Sequence, residues 1–205
     1  SLKATVIKND YKEDIAIRQT VFLDGNGSWF ATSPISMFIA PIAKKRMVTK
    51  DENGLNCCVS SWERINDNSL SPKIKVGANY MNSRAGQLEA IRNGYDFPVF
   101  LNDAGKVSEG PGACIFMIRD NVLVTPPTTA SILESITRET IIELAKNELN
   151  MKVEVRDVDR TELYISDELF FCGTAVEVVP IISMDNCFLK FYSHYLLKIC
   201  IVSNQ

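Results

Sequence analysis

The sequence is poor in the side chains that most often hold metals or partner a nucleophile. It has one histidine, His194, and six cysteines (Cys57, Cys58, Cys114, Cys172, Cys187 and Cys200), none in a CxxC spacing. A zinc site needs Cys/His ligands paired at short spacing, and a Ser–His–Asp arrangement would have only the tail histidine to build on. No metal is therefore expected. Adjacent Cys57 and Cys58 are poor disulfide partners for each other, because the bond needs convergent Cβ vectors. No apolar run approaches the ~20 residues of a membrane span, and the opening "SLKATVIKND" lacks the apolar centre of a secretory signal. Positive charge is not in excess either: 22 Lys and Arg stand against 25 Asp and Glu, a formal charge of −3. That balance gives no footprint for nucleic acid, and the short "KKR" of Lys44 to Arg46 reads as a solvated loop. The expectation is a cytoplasmic protein with buried free thiols, bound to neither membrane nor nucleic acid.

What is present is enough apolar material for a core, 46% of 205 residues. Residues 1 to 61 read as strand-rich, with "IAIRQTVFLDGNGSW", "ISMFIAPIA" and "NCCVSSW" as strands. The polar "ERINDNSLSP" makes residues 62–72 the expected interdomain linker, and 73–205 the larger domain. Asn79 is placed to cap a helix with Met81, Ala85, Leu88 and Ile91 on its inner face and Gly94 as its stop. Strands follow in "FPVFLND", "GACIFMIRD" and "NVLVTPP", the last two joined by an Asp-Asn hairpin turn. A second helix is expected behind Ser135 and Thr137, with Ile141, Leu144, Ala145 and Leu149 inward. "MKVEVRDV", "ELFFCGTA" and "VEVVPIIS" are further strands. Strands and helices mix without regular βαβ alternation, so the class is α+β.

Four places hold chemistry-bearing residues. Lys75 stands between Ile74 and Val76 ahead of Gly77; burial there would favour the free amine that attacks a carbonyl, although a lysine whose stem lies on the core looks the same. Glu109 precedes Gly-Pro-Gly and an apolar strand, either as a solvated turn residue or as a carboxylate facing a pyridine nitrogen that it keeps protonated. "ESITRETI" offers helix-start N–H groups with the Ser135 and Thr137 hydroxyls, a plain cap or a phosphate cradle. Gly173-Thr174-Ala175 interrupts an apolar strand with small residues, as a bulge or a ligand's close approach would require.

In that order these motifs resemble the fold-type IV (D-amino acid aminotransferase-like) pyridoxal-phosphate enzymes, and among them the branched-chain amino acid aminotransferases. The similarity runs through "AIRQTVF", "SSWERINDNSLSPKIK", "IKVGANY", "VSEGPGACIF", "TPP", "SITR" and "DELFFCGTAVEVVPI", most of the chain from Ile17 to Asp185. The resemblance implies a large domain and part of a small one, with pyridoxal 5'-phosphate held as a Schiff base on Lys75 and Tyr80 beside it. It implies Glu109 at the pyridinium, and a phosphate held by Ser135, Ile136, Thr137, Gly173 and Thr174. Arg18 and the Ala175 backbone would take a substrate carboxylate. The implied reaction moves an amino group between a branched-chain L-amino acid and 2-oxoglutarate in a homodimer. The same cofactor motifs serve aminodeoxychorismate lyases and D-amino acid or amine transaminases, and a non-catalytic fragment would also carry them. Against the family pattern, the chain starts after the segment bearing a phosphate-clamping arginine. Its tail "NCFLKFYSHYLLKICIVSNQ" diverges, and Ala113 stands where branched-chain enzymes often have glutamate.

Overall fold

The computed structural model describes residues 1–44 and 54–189. His194 and Cys200, most of the divergent tail, and Lys45 and Arg46 lie outside the described residues. The chain divides into two compact units, the first holding described residues 1–44 and the second 54–189.

The first unit opens with a helix, α1 (Leu2–Asn9), capped by the Ser1 side chain and closed by Asp10 in the left-handed region. Strands β1 (Ile15–Leu23) and β2 (Ile35–Ala43) form an antiparallel two-stranded sheet running from the Ile15↔Ala43 pair to Leu23↔Ile35. The Tyr11 hydroxyl donates to the Pro41 carbonyl at 3.1 Å.

The second unit is a mixed sheet. Its strands are β3 (Leu55–Glu63), β4 (Phe97–Leu101), β5 (Cys114–Arg119), β6 (Val122–Thr125), β7 (Lys152–Val155), β8 (Glu168–Gly173), β9 (Glu177–Met184) and the short β10 (Cys187–Phe188). They lie in the order β4-β3-β9-β8-β5-β6-β7, with β10 pairing to β9. Two parallel pairs (β4–β3 and β3–β9) lead into three antiparallel ones (β9–β8, β8–β5 and β5–β6), and a parallel pair (β6–β7) follows. The fold is α+β, as the sequence indicates.

The expected boundary after residue 61 and the linker at 62–72 are not what the structure shows. Strand β3 lies inside the larger sheet between β4 and β9, and its buried Cys57, Cys58 and Ser60 belong to that unit. Polar composition marked the following segment as exposed linker, yet Arg64 within it is buried.

The centre of the sheet is the β5–β8 pair, in which Phe116 faces Phe170 with ring centroids 5.1 Å apart and planes nearly parallel. Both strands are covered on both faces, which is why "CIFMI" reads as a continuous apolar run rather than an alternation. The helix α3 (Ile136–Asn147) lays Ile141, Ile142 and Ala145 on one face of this pair, beside Phe116, Phe170 and Cys172. Its start is the expected one, the Ser135 hydroxyl accepting from the Arg138 N–H. Leu144, expected inward, is only half-buried, and Ile142 takes the deeper position.

The helix α2 (Asn79–Arg92) turns a different face to the sheet from the one its apolar residues mark. Ser83, Gly86 and Ala90 are buried, while Met81, Leu88 and Ile91 are exposed. The sheet side has no room for large side chains: a Cβ on Gly86 would lie 2.5 Å from the Phe100 ring. The hairpin at Asp120-Asn121 is as expected, both residues having positive φ, as a two-residue primed turn requires.

Candidate active site

Glu109 is placed by backbone pairing. The Ser108 N–H donates to the Phe100 carbonyl and the Phe100 N–H to the Glu109 carbonyl, each at 2.9 Å, so residues 108–109 run alongside β4. The chain then turns sharply, with the Gly110 N–H donating to the Ala113 carbonyl at 2.8 Å. Both glycines of "SEGPG" are used. Gly112 has φ +97°, and a Cβ on Gly110 would sit 2.7 Å from the Phe171 ring.

The Glu109 carboxylate is 2% exposed. Its Oε1 accepts from Arg64 Nε at 2.9 Å and lies 2.8 Å from a second Arg64 nitrogen; its Oε2 accepts from the Leu133 N–H at 3.2 Å. Burial pushes this carboxyl up to about 7, against the opposing pull of the Arg64 guanidinium, the Leu133 N–H and Lys75.

Lys75 lies in the irregular turn before α2. Asn79, expected as a cap, does another job: Ala78 holds the cap position, and the Asn79 side-chain amide donates to the carbonyls of Ser71 and Ile74, both at 2.9 Å. It thereby ties down the segment that carries Lys75. The expected desolvation is not found. Lys75 is exposed, and so are Ile74 and Val76, because a turn with no strand laid over it cannot bury its side chains.

Arg138, buried in the first turn of α3, donates to the Thr125 hydroxyl and the Pro126 carbonyl at 3.3 and 3.0 Å. "TPP" and "SITR" are thus joined into one support. The first-turn amides of Ile136 and Thr137 have no acceptor within the helix. Across from them, Gly173 and Glu177 pair at the end of the β8–β9 hairpin, leaving Thr174 exposed in its connection.

These elements meet at a cavity of about 280 Å³, near the small end of the roughly 300–1,000 Å³ range of small-ligand sites. Of the residues singled out in the sequence, Lys75, Tyr80, Glu109, Ser135, Ile136, Gly173 and Thr174 line it. Thr137 and Ala175 flank it in sequence without forming its wall, and Arg18 lies on β1 of the first unit, opposite Ala40. The residue that sequence reasoning missed is Arg64; its one cue was its place just beyond an apolar strand. Cys114 and Cys172 also line the cavity as a cross-strand pair. The Cys172 thiol is pushed well up by its hydrogen bond with Cys114 and by burial, so it is no nucleophile. Among the described residues no cluster of His, Cys, Asp or Glu could hold a metal ion, and no helix is long and apolar enough to cross a membrane.

A lysine, a buried carboxylate and a helix start thus surround one cavity of the mixed sheet. The sequence pattern of the family described as amino-transferase class IV matches residues 1–184, and the chain belongs to that family. It is 45% identical over 133 residues to a probable branched-chain-amino-acid aminotransferase of Aquifex aeolicus, and 43% identical over 134 residues to the branched-chain-amino-acid aminotransferase of Escherichia coli K12. Each match takes in 65% of this chain and 43% of the relative, so the chain spans less than half the length of those proteins. The PLP-form structure of branched-chain amino acid aminotransferase from Thermobaculum terrenum superposes with a TM-score of 0.85 at 44% identity, covering 92% of this chain and 62% of that one. The branched-chain aminotransferase of Thermoproteus uzoniensis, solved with norvaline, superposes with a TM-score of 0.91 at 36% identity, covering 98% and 67%.

Proposed function

We propose that the chain is the pyridoxal 5'-phosphate-binding part of an aminotransferase that moves an amino group between a branched-chain L-amino acid and 2-oxoglutarate. The observation that carries the reading is that Lys75 and the buried Glu109 line one cavity with the N-terminal turn of α3. The donor set fits the cofactor. Lys75 supplies the amine, Glu109 the ring-nitrogen partner, and Tyr80 a flanking ring. Ser135, Ile136, Gly173 and Thr174 on the wall would supply phosphate donors around a helix start, with Thr137, just behind it, assigned on sequence resemblance. Asn79 Oδ1, on the same wall, is buried without a hydrogen-bond partner, as an atom awaiting a donor would be.

Pyridoxal phosphate supplies an electron sink for the substrate's α-carbon. With it bound, Lys75 Nζ would act as the base that takes the α-proton and the acid that returns a proton. The Glu109 carboxylate would hold the ring N–H and balance its charge. The small Gly112 and Gly173 would leave room on the wall for a flat ring, and the α3 amides would orient the phosphate. Arg18 and the Ala175 backbone are assigned to the substrate carboxylate on sequence resemblance. A homodimer in the cytoplasm belongs to the same proposal.

Added pyridoxal phosphate should produce a visible absorbance band, and borohydride should then fix the label on the Lys75 peptide. Lys75→Ala should abolish both the label and turnover. Scattered labelling, or turnover retained in Lys75→Ala, would overturn the assignment. A panel of branched-chain L-amino acids, D-amino acids, aryl amines and aminodeoxychorismate then separates the branched-chain reading from the other chemistries of this cofactor.

A further inference from the structure

We infer that Arg64 is a positioning residue that fixes the direction and charge of the Glu109 carboxylate, and so decides whether a ring nitrogen brought to it is held protonated. The inference rests on the cofactor reading above. Arg64 is held from three sides. Its N–H donates to the Leu101 carbonyl at 2.8 Å, at the end of β4. Its Nη1 donates to Asn82 Oδ1 at 3.1 Å, and the Asn82 amide in turn donates to the Glu63 carbonyl at 2.9 Å, linking α2 to the end of β3. Its Nε and Nη2 converge on Oε1 of Glu109 at 2.9 and 2.8 Å, and both side chains are almost fully buried.

A carboxylate oxygen has two lone-pair directions. Arg64 occupies both on Oε1 and Leu133 one on Oε2, so the last site on Oε2 is the one available to a ring N–H. The other charged groups near the carboxylate do not replace Arg64. Lys75, from the turn before α2, and Glu134, from the loop before α3, are exposed, as is Lys73 on the same wall. Tyr80, Cys114 and Cys172 are the remaining titratable side chains there. Burial alone would neutralise Glu109 at neutral pH, and a neutral carboxyl does not hold a pyridinium. Among the described residues, Arg64 is the buried cation that opposes this.

The test follows the Glu109 carboxyl by isotope-edited infrared titration in the protein without cofactor, with Glu109→Gln identifying the signal. Arg64→Met should move the titration up by about one pH unit or more. Arg64→Lys, which keeps the charge but not the paired donors, should move it less, and it carries the test if Arg64→Met does not fold. With pyridoxal phosphate added, Arg64→Met should still label at Lys75, with the bound absorbance band shifted and its pH profile displaced. A Glu109 titration unmoved in both variants overturns the inference even when Lys75 labels normally. No label at Lys75 in the unaltered chain overturns instead the cofactor reading on which it rests.

Discussion

The two units use equally apolar strands to different ends. In the larger sheet Phe100, Phe116, Phe170 and Phe171 are all 0% exposed, whereas in the two-stranded sheet Val21 and Leu23 are 63% exposed and Ile35 74%. Trp29 and Phe30, in the connection between those strands, are 98% and 80% exposed. A strand buries its side chains only when a second layer covers the face on which they stand. The larger unit lays α2 and α3 on its sheet; the described residues of the smaller hold one short helix and two strands, fewer strands than an independently stable sheet needs. The cavity lies wholly within the better-packed unit, where side chains are held closely enough to keep a buried ion pair in register.

Substitutions in the two units test the difference. Phe170→Ala removes a ring stacked in the sheet centre and should cost about 3–5 kcal/mol, read as a lower denaturation midpoint; a cost near that of a surface change would mean the sheet centre is not the core. Next in size is the pH dependence of Glu109. Its native carboxyl is raised to about 7 from the ordinary 4.5, so the native state binds the extra proton between those values. Its contribution to stability is full below about 4.5 and lost as pH rises through 7, a change of roughly 3 kcal/mol. Glu109→Gln should flatten that part of the stability–pH curve, and an unchanged slope would contradict the burial argument.

Gly86→Ala forces a methyl against the Phe100 ring and should cost about 1–2 kcal/mol even though alanine favours helix; the midpoint of the same melt reads it. The smallest effect is expected in the two-stranded sheet. Val21→Thr should change stability by less than about 0.5 kcal/mol, and hydrogen exchange should show β1 and β2 amides far less protected than those of β5 and β8. Strong protection of β1 and β2 would mean that a layer covers them in solution.

Much of the candidate site was legible because its motifs are local. Ser135 caps α3 through an atom three residues away, Asp120-Asn121 turns a hairpin by its own φ angles, and Gly110 and Gly112 shape the turn beside Glu109. These depend on short spacing, which a sequence displays directly. The inner face of α2 was not legible, since apolar spacing marked Met81, Leu88 and Ile91 while the neighbouring Phe100 left room only for small residues.

Most strand and helix identities, though not α1 (Leu2–Asn9) in a stretch that reads as strand-rich, the hairpin, the start of α3 and the order of the motifs were set by the sequence itself, because each is an interaction between near neighbours. The unit boundary, the exposure of Lys75 and the pairing of Arg64 with Glu109 were decided by tertiary structure. Arg64 and Glu109 are 45 residues apart and meet because parallel pairing sets β3 beside β4, whose far side carries the Glu109 segment. Which strand lies beside which is a property of the whole packed sheet, and no local spacing encodes it.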